Sequence, residues 1–198
     1  MKKLGLFFTL IGTFLLANVS QGVPIVFHTV QIAENPVKAS PAIMNGTVSF
    51  DITTHEMIVD LIFSGLTAGN TASHIHCCTA LPVLTNPTTP NAPVATTTPT
   101  FTGLPTGTTS GTYHHVFDTS QAASWNTSFI TAHGGNTAGA ETDFLAGLLA
   151  GKAYWNLHTT AFPGGEIRAA LVVPEPASMA LLGLGLLGLG FSRRKNAA

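Results

Sequence analysis

"GTVSFDITTHEMIVDLIFSGL", residues 46–66, holds the pattern on which the fold turns. Val48, Phe50 and Ile52 alternate with polar neighbours, the polar run Thr53, Thr54, His55, Glu56 intervenes, and Ile58, Leu61 and Phe63 carry a second apolar run. Successive side chains leave a strand on opposite sides, so alternation with a period of two marks a strand with one buried face. Two such runs across a short polar turn predict a β-hairpin.

Working outward, "PIVFHTVQI" (24–32), "TYHHVFD" (112–118), "AYWNLHT" (153–159) and "EIRAALVV" (166–173) read as further strands, and the count suits a mainly β, antiparallel sandwich. Two short helices interrupt it. Ser120 is placed to cap one running through Ala132, with Trp125 and Phe129 at i, i+4 and Gly134-Gly135 as its stop. Glu141 to Ala150 forms the other, its acids Glu141 and Asp143 suited to a helix N-terminus and Gly151 ending it. Between Thr79 and Thr112, Thr and Pro dominate, which predicts an extended surface excursion.

The 198 residues suit one domain. With 45% hydrophobic and 9% charged residues the chain is no disordered polyelectrolyte. Between Val23 and Val173 only Lys38, Lys152 and Arg168 are basic, against eight acids. No basic groove is available to displace counterions, so nucleic acid is not an expected partner.

Both ends read as addresses. Residues 1–22 combine Lys2 and Lys3, an apolar stretch from Leu4 to Ala17, and small residues at Ser20 and Gly22: a signal peptide helix. The body is then 23–173, and 174–198 forms the other appendage. There Pro174, Glu175 and Pro176 precede an uncharged run from Ala177 to Phe191, closed by Arg193, Arg194 and Lys195. At 1.5 Å per residue this hydrophobic helix is about 22 Å long, a marginal transmembrane span whose cationic tail would stay cytoplasmic. The order Pro-Glu-Pro, apolar helix, Arg-Arg resembles the PEP-CTERM sorting signal of Gram-negative bacteria. That resemblance implies a sorting protease of the exosortase type as partner, transient anchoring in the inner membrane, and release to the cell surface or an exopolysaccharide matrix.

"NLHTTAFPGGEIRAAL" (156–171) places a Pro163-Gly164-Gly165 turn between two strands. Alternation puts Tyr154, Asn156 and His158 on one face of the first, and Glu166 and Arg168 opposite Ile167, Ala169 and Leu171 on the second, so that Asn156, His158, Glu166 and Arg168 are expected on one polar face. With His74-Ile75-His76, this stretch resembles the CHRD domain, over roughly residues 24–173. The resemblance implies an immunoglobulin-like sandwich without established catalytic activity. Ala169 stands where the family commonly has Gly, and Cys77-Cys78 follow the His pair where many members have other residues.

"SHIHCCT" (73–79) carries the chemistry. In an extended strand His74, His76 and Cys78 face one side, with the two histidine Cα atoms about 7 Å apart. Imidazole with thiolate suits copper or zinc, and His158 is the expected ligand from elsewhere. The His-x-His pair is also similar to the copper-binding pair of Cu/Zn superoxide dismutases, though the remaining ligand pattern is not recognisable. The bland alternative is a pair of neutral histidines hydrogen-bonded to backbone or to a carboxylate such as Glu166 or Asp143. Cys77 and Cys78, the only cysteines, form a vicinal disulfide, supply a reduced ligand, or link two molecules. In His114-His115, neighbours on a strand diverge, one exposed and one packed. No nucleophile elbow, P-loop, zincin or EF-hand pattern is present.

The expectation is therefore a non-enzymatic, exported protein with a binding or structural role toward extracellular polysaccharide or an envelope protein. The alternative is a periplasmic copper or zinc protein using the His-x-His motif.

Overall fold

The 46–66 segment forms its hairpin in the computed structural model of the chain, which describes residues 23–34, 39–85 and 90–174. The segments expected as signal peptide and sorting helix, with Glu175, Pro176, Arg193 and Arg194, lie outside the described residues. Strand β2 (Ile43–Asp51) pairs with β3 (Glu56–Ser64) from Ile43↔Ser64 to Asp51↔Glu56. The turn is held by Asp51, whose Oδ1 accepts from the Thr53 N–H at 2.8 Å and its hydroxyl at 2.6 Å. Val48 and Phe50 face inward, whereas Ile52 falls in the turn. On β3 the inward set is Met57, Val59, Leu61 and Phe63, so Ile58 faces outward.

Around this hairpin stand β1 (Ile25–Ile32), β4 (Asn70–His76), β5 (Gly111–Asp118), β6 (Tyr154–Thr159) and β7 (Ile167–Val172). All seven form one antiparallel sheet in the order β4-β6-β7-β1-β2-β3-β5. The two layers of the expected sandwich are thus two wings of one curled sheet. Its inner face buries Phe27, Val48, Phe50, Leu61, Ile75, Trp155, Leu157 and Leu171. The wings meet where the Trp155 ring packs over Gly46 of β2; a Cβ there would lie 2.9 Å from the indole. Burial on this scale stabilises by roughly 25 cal/mol per Å² of apolar surface.

The Thr- and Pro-rich excursion closes the curl between the edge strands β4 and β5. Its backbone bonds to β4 (Ala95 N–H to Ile75 O, 2.9 Å; Phe101 N–H to Ser73 O, 2.9 Å), and it enters the core through Phe101, which packs on Tyr113, Phe117 and Trp155. An edge strand exposes unpaired backbone groups, and here the excursion occupies those of β4.

The helix expected from Ser120 is divided. Ser120 bonds back to Asp118, a 3-10 turn spans Ala122–Ser124, Trp125 is extended, and α1 (Thr127–Ala132) starts only where Asn126 accepts the Ser128 N–H at 2.9 Å. Helix α2 (Thr137–Leu149) begins earlier than expected, behind Asn136, which caps the Gly139 N–H. Glu141 therefore lies beyond the first turn. It is buried and bonded to His55 and Thr119 rather than serving the helix dipole. Among the described residues no helix is long and apolar enough to cross a membrane.

Candidate metal centre

Strand β4 presents His74 and His76 on its outward face, and β6 presents His158 beside them, with Ala72 opposite His158 and His74 opposite Asn156 in the register. Their rings lie 4.8 Å (His74 to His76) and 4.7 Å (His74 to His158) apart between centroids. One candidate ligand nitrogen from each falls within 4.8 Å of the others. The Nε2 atoms of His74 and His158 are 3.1 Å apart.

Each ring is held from behind. The Nδ1 of His74 lies 3.2 Å from Pro99 O, that of His76 2.6 Å from Ala92 O, and that of His158 2.8 Å from Pro163 O. A carbonyl oxygen only accepts, so each Nδ1 carries the proton and donates it, leaving a lone pair on each Nε2. This is how metal-ligating imidazoles are oriented by outer partners. Sequence reasoning missed these three groups, because no side-chain type marks a backbone acceptor. Two belong to the excursion and one to the Pro163-Gly164-Gly165 turn.

His74 and His76 are electrically poor sites for protons. Burial first, then the neighbouring His76 and His158, push His74 down to about 3. Burial likewise drives His76 down to about 4, with His158 and Arg168 adding to it, against the bond to Ala92. The Nε2 of His76 is buried and has no hydrogen-bond partner. His158 is half-exposed and leaves the cluster open on one side.

Cys78 does not join the histidines. Strand alternation would put it on their face, but β4 ends at His76 and Cys78 is disulfide-bonded to Cys77. Both sulfurs lie against α2 at Gly147, where a Cβ would collide with each of them. No thiolate is therefore present to ligate.

The expected polar face is also corrected. Asn156 and Arg168 are register partners beside the histidines, but both are buried. Glu166 leaves the group, since β7 starts one residue after it and the alternation does not reach it. Its carboxylate accepts from Ser40 (2.7 Å), the Thr67 N–H (2.8 Å) and hydroxyl (3.0 Å), and Thr159 (2.8 Å). Burial pushes its pKa up, yet these bonds outweigh that and hold it below the ordinary value. Neither Glu166 nor Asp143 orients the site histidines. His114 is exposed and bonded to Asp60 at 2.7 Å, while His115 turns between Tyr113 and Phe117.

The family model of the CHRD domain matches residues 27–171, all of the sheet but the first two residues of β1 and the last of β7. The chain belongs to the CHRD-domain family. Directly after the CHRD domain, the PEP-CTERM protein-sorting motif matches residues 172–195, which include Pro174, Glu175, Pro176, Arg193 and Arg194. A CHRD domain followed by this motif belongs to an exported protein addressed to an exosortase-type sorting system. No curated protein and no solved structure matches the chain.

Proposed function

We propose that the CHRD domain of this exported protein is a non-catalytic metal-binding module that holds one transition-metal ion on His74, His76 and His158. One observation carries the reading: three imidazoles have every Nδ1 tied to a backbone carbonyl, so their Nε2 lone pairs converge. Lone pairs 3.1 Å apart repel unless an electrophile lies between them. Neither His74 nor His76 takes up a proton at neutral pH, since burial holds their values at about 3 and about 4. A metal ion answers the arrangement: two nitrogens 3.1 Å apart can both lie about 2.0–2.1 Å from one ion, with about 100° between the bonds. Copper and zinc are the ions that imidazole suits.

The sorting motif supports placing this module at the cell surface or in an extracellular matrix after exosortase-type processing, where polysaccharide or an envelope protein is the expected neighbour. The full chain, expressed with its own export signals and purified from the envelope, tests both parts. About one equivalent of copper or zinc is expected, lost in H74A/H76A. A metal-free wild type that stays metal-free after incubation with either ion contradicts the centre. Mass spectrometry of the same material is expected to show termini near Val23 and near Pro174 to Pro176, and an uncut tail on surface protein would contradict sorting.

A further inference from the structure

The three ligands are neutral, and among the described residues no carboxylate or thiolate joins the cluster. An ion seated there receives no compensating negative charge from its ligands. Beside the ligands lies a fixed positive one. Arg168 is completely buried, with its guanidinium 3.6 Å from the centroid of the Tyr154 ring. That ring is stacked on His76 at 4.6 Å, with 7° between the planes. Since β6 runs between β4 and β7, Tyr154 lies between the imidazole and the guanidinium.

Arg168 keeps its charge at any pH a folded protein meets. Its Nη1 reaches Asn91 Oδ1 at 3.4 Å, and its Nε and Nη2 have no hydrogen-bond partner. Glu34 is the acid that acts on Arg168 and on Tyr154. At His76 the fixed charge that acts is that of Arg168, positive in sign.

We propose that this centre selects a monovalent ion, copper(I), over zinc(II) and copper(II), with Arg168 as the positioning charge. The inference rests on the metal-binding reading above. Desolvating an ion grows with the square of its charge and repulsion from a neighbouring cation grows linearly with it, so both terms penalise a divalent ion more. Copper(I) gains imidazole ligation at the lowest electrostatic cost.

The test uses the full-length exported protein under anaerobic conditions. Chelator competition measures its affinity for copper(I), copper(II) and zinc(II), and the potential of the bound copper couple is recorded. Wild type is expected to hold copper(I) most tightly. One unit charge across roughly 10 Å at an effective dielectric of about 20 changes a binding ratio about tenfold. In R168M the copper(II) to copper(I) affinity ratio is therefore expected to rise about tenfold, which lowers the potential by about 59 mV. R168K, which keeps the charge, is expected to return toward wild type. A wild type that prefers zinc(II) or copper(II), or a folded R168M with an unmoved potential, overturns copper(I) selection while the metal centre stands. If R168M does not fold, the wild-type preference decides alone. Binding of none of the three ions overturns the centre and this inference together.

Discussion

At the scale of single residues, two buried imidazoles kept neutral make the domain sensitive to acid. In the unfolded chain His74 and His76 take up protons near pH 6.5, whereas in the fold they do so only near 3 and 4, because burial penalises the imidazolium. A histidine whose folded pKa is depressed contributes stability that is complete above pH 6.5. That contribution is lost as pH falls, because the unfolded state then binds more protons. For the metal-free protein, the urea midpoint is expected to drop steadily from pH 6.5 to pH 4. H74Q/H76Q, which keeps polar side chains but removes both titrations, is expected to show a shallower slope. Equal slopes in the two proteins would mean that these rings are far better hydrated than their burial indicates. Glu166 adds a loss in the same direction at lower pH, since its carboxylate is held below its ordinary value and its bonds to Ser40, Thr67 and Thr159 weaken on protonation.

At the scale of elements, two contacts fasten the helices to the sheet. Cys77 and Cys78 follow directly on β4 and their sulfurs lie on Gly147 of α2, so the helix approaches the strand end only because position 147 has no side chain. G147A is expected to destabilise by about 1–3 kcal/mol, the usual cost of overpacking. In a double-mutant cycle with C77A/C78A much of that loss should be recovered, and additive effects would show that the sulfurs do not limit the approach. The second contact joins the β2–β3 turn to α2. His55, with φ 57°, donates through Nδ1 to buried Glu141 at 2.9 Å, and the Thr119 hydroxyl donates to the same carboxylate. The bond and the charge of Glu141 raise the His55 pKa above 6.5. A raised histidine contributes stability that is fully present below the unfolded value and disappears as pH rises through the folded one. The stability gap between wild type and H55N, whose asparagine tolerates the left-handed backbone, is therefore expected to be widest below pH 6.5 and to close at alkaline pH. A gap that does not vary with pH would reduce the contact to a neutral hydrogen bond.

At the scale of the whole molecule, legibility followed the range of the forces involved. Period-two alternation exposed β1, β2, β3, β5, β6 and β7, because inward residues such as Val48, Phe50, Leu157 and Leu171 meet one core. The histidine pair and His158 were readable by type and parity. Cys78 and Glu166 were misplaced, since parity holds only inside a strand and both lie just beyond an end. The carbonyls of Ala92, Pro99 and Pro163 were invisible, being chosen by how the excursion and the turn settle over the sheet. That settling makes the centre a cross-brace: one ion would tie β4 to β6, and through the Nδ1 bonds would tie both strands to the excursion that closes the curl. A ligand that binds only the native state stabilises it by about 2.7 kcal/mol at a hundredfold excess over its Kd. For a chain of this size that is a rise of about 5–10 °C in melting temperature. Copper(I) supplied anaerobically to the metal-free protein is expected to give that rise and to slow backbone hydrogen exchange in β4 and in residues 92–101. H74A/H76A should show neither change. A rise in melting temperature without added protection of 92–101 would confine the effect to β4 and β6, leaving the excursion a cover and not a part of the brace.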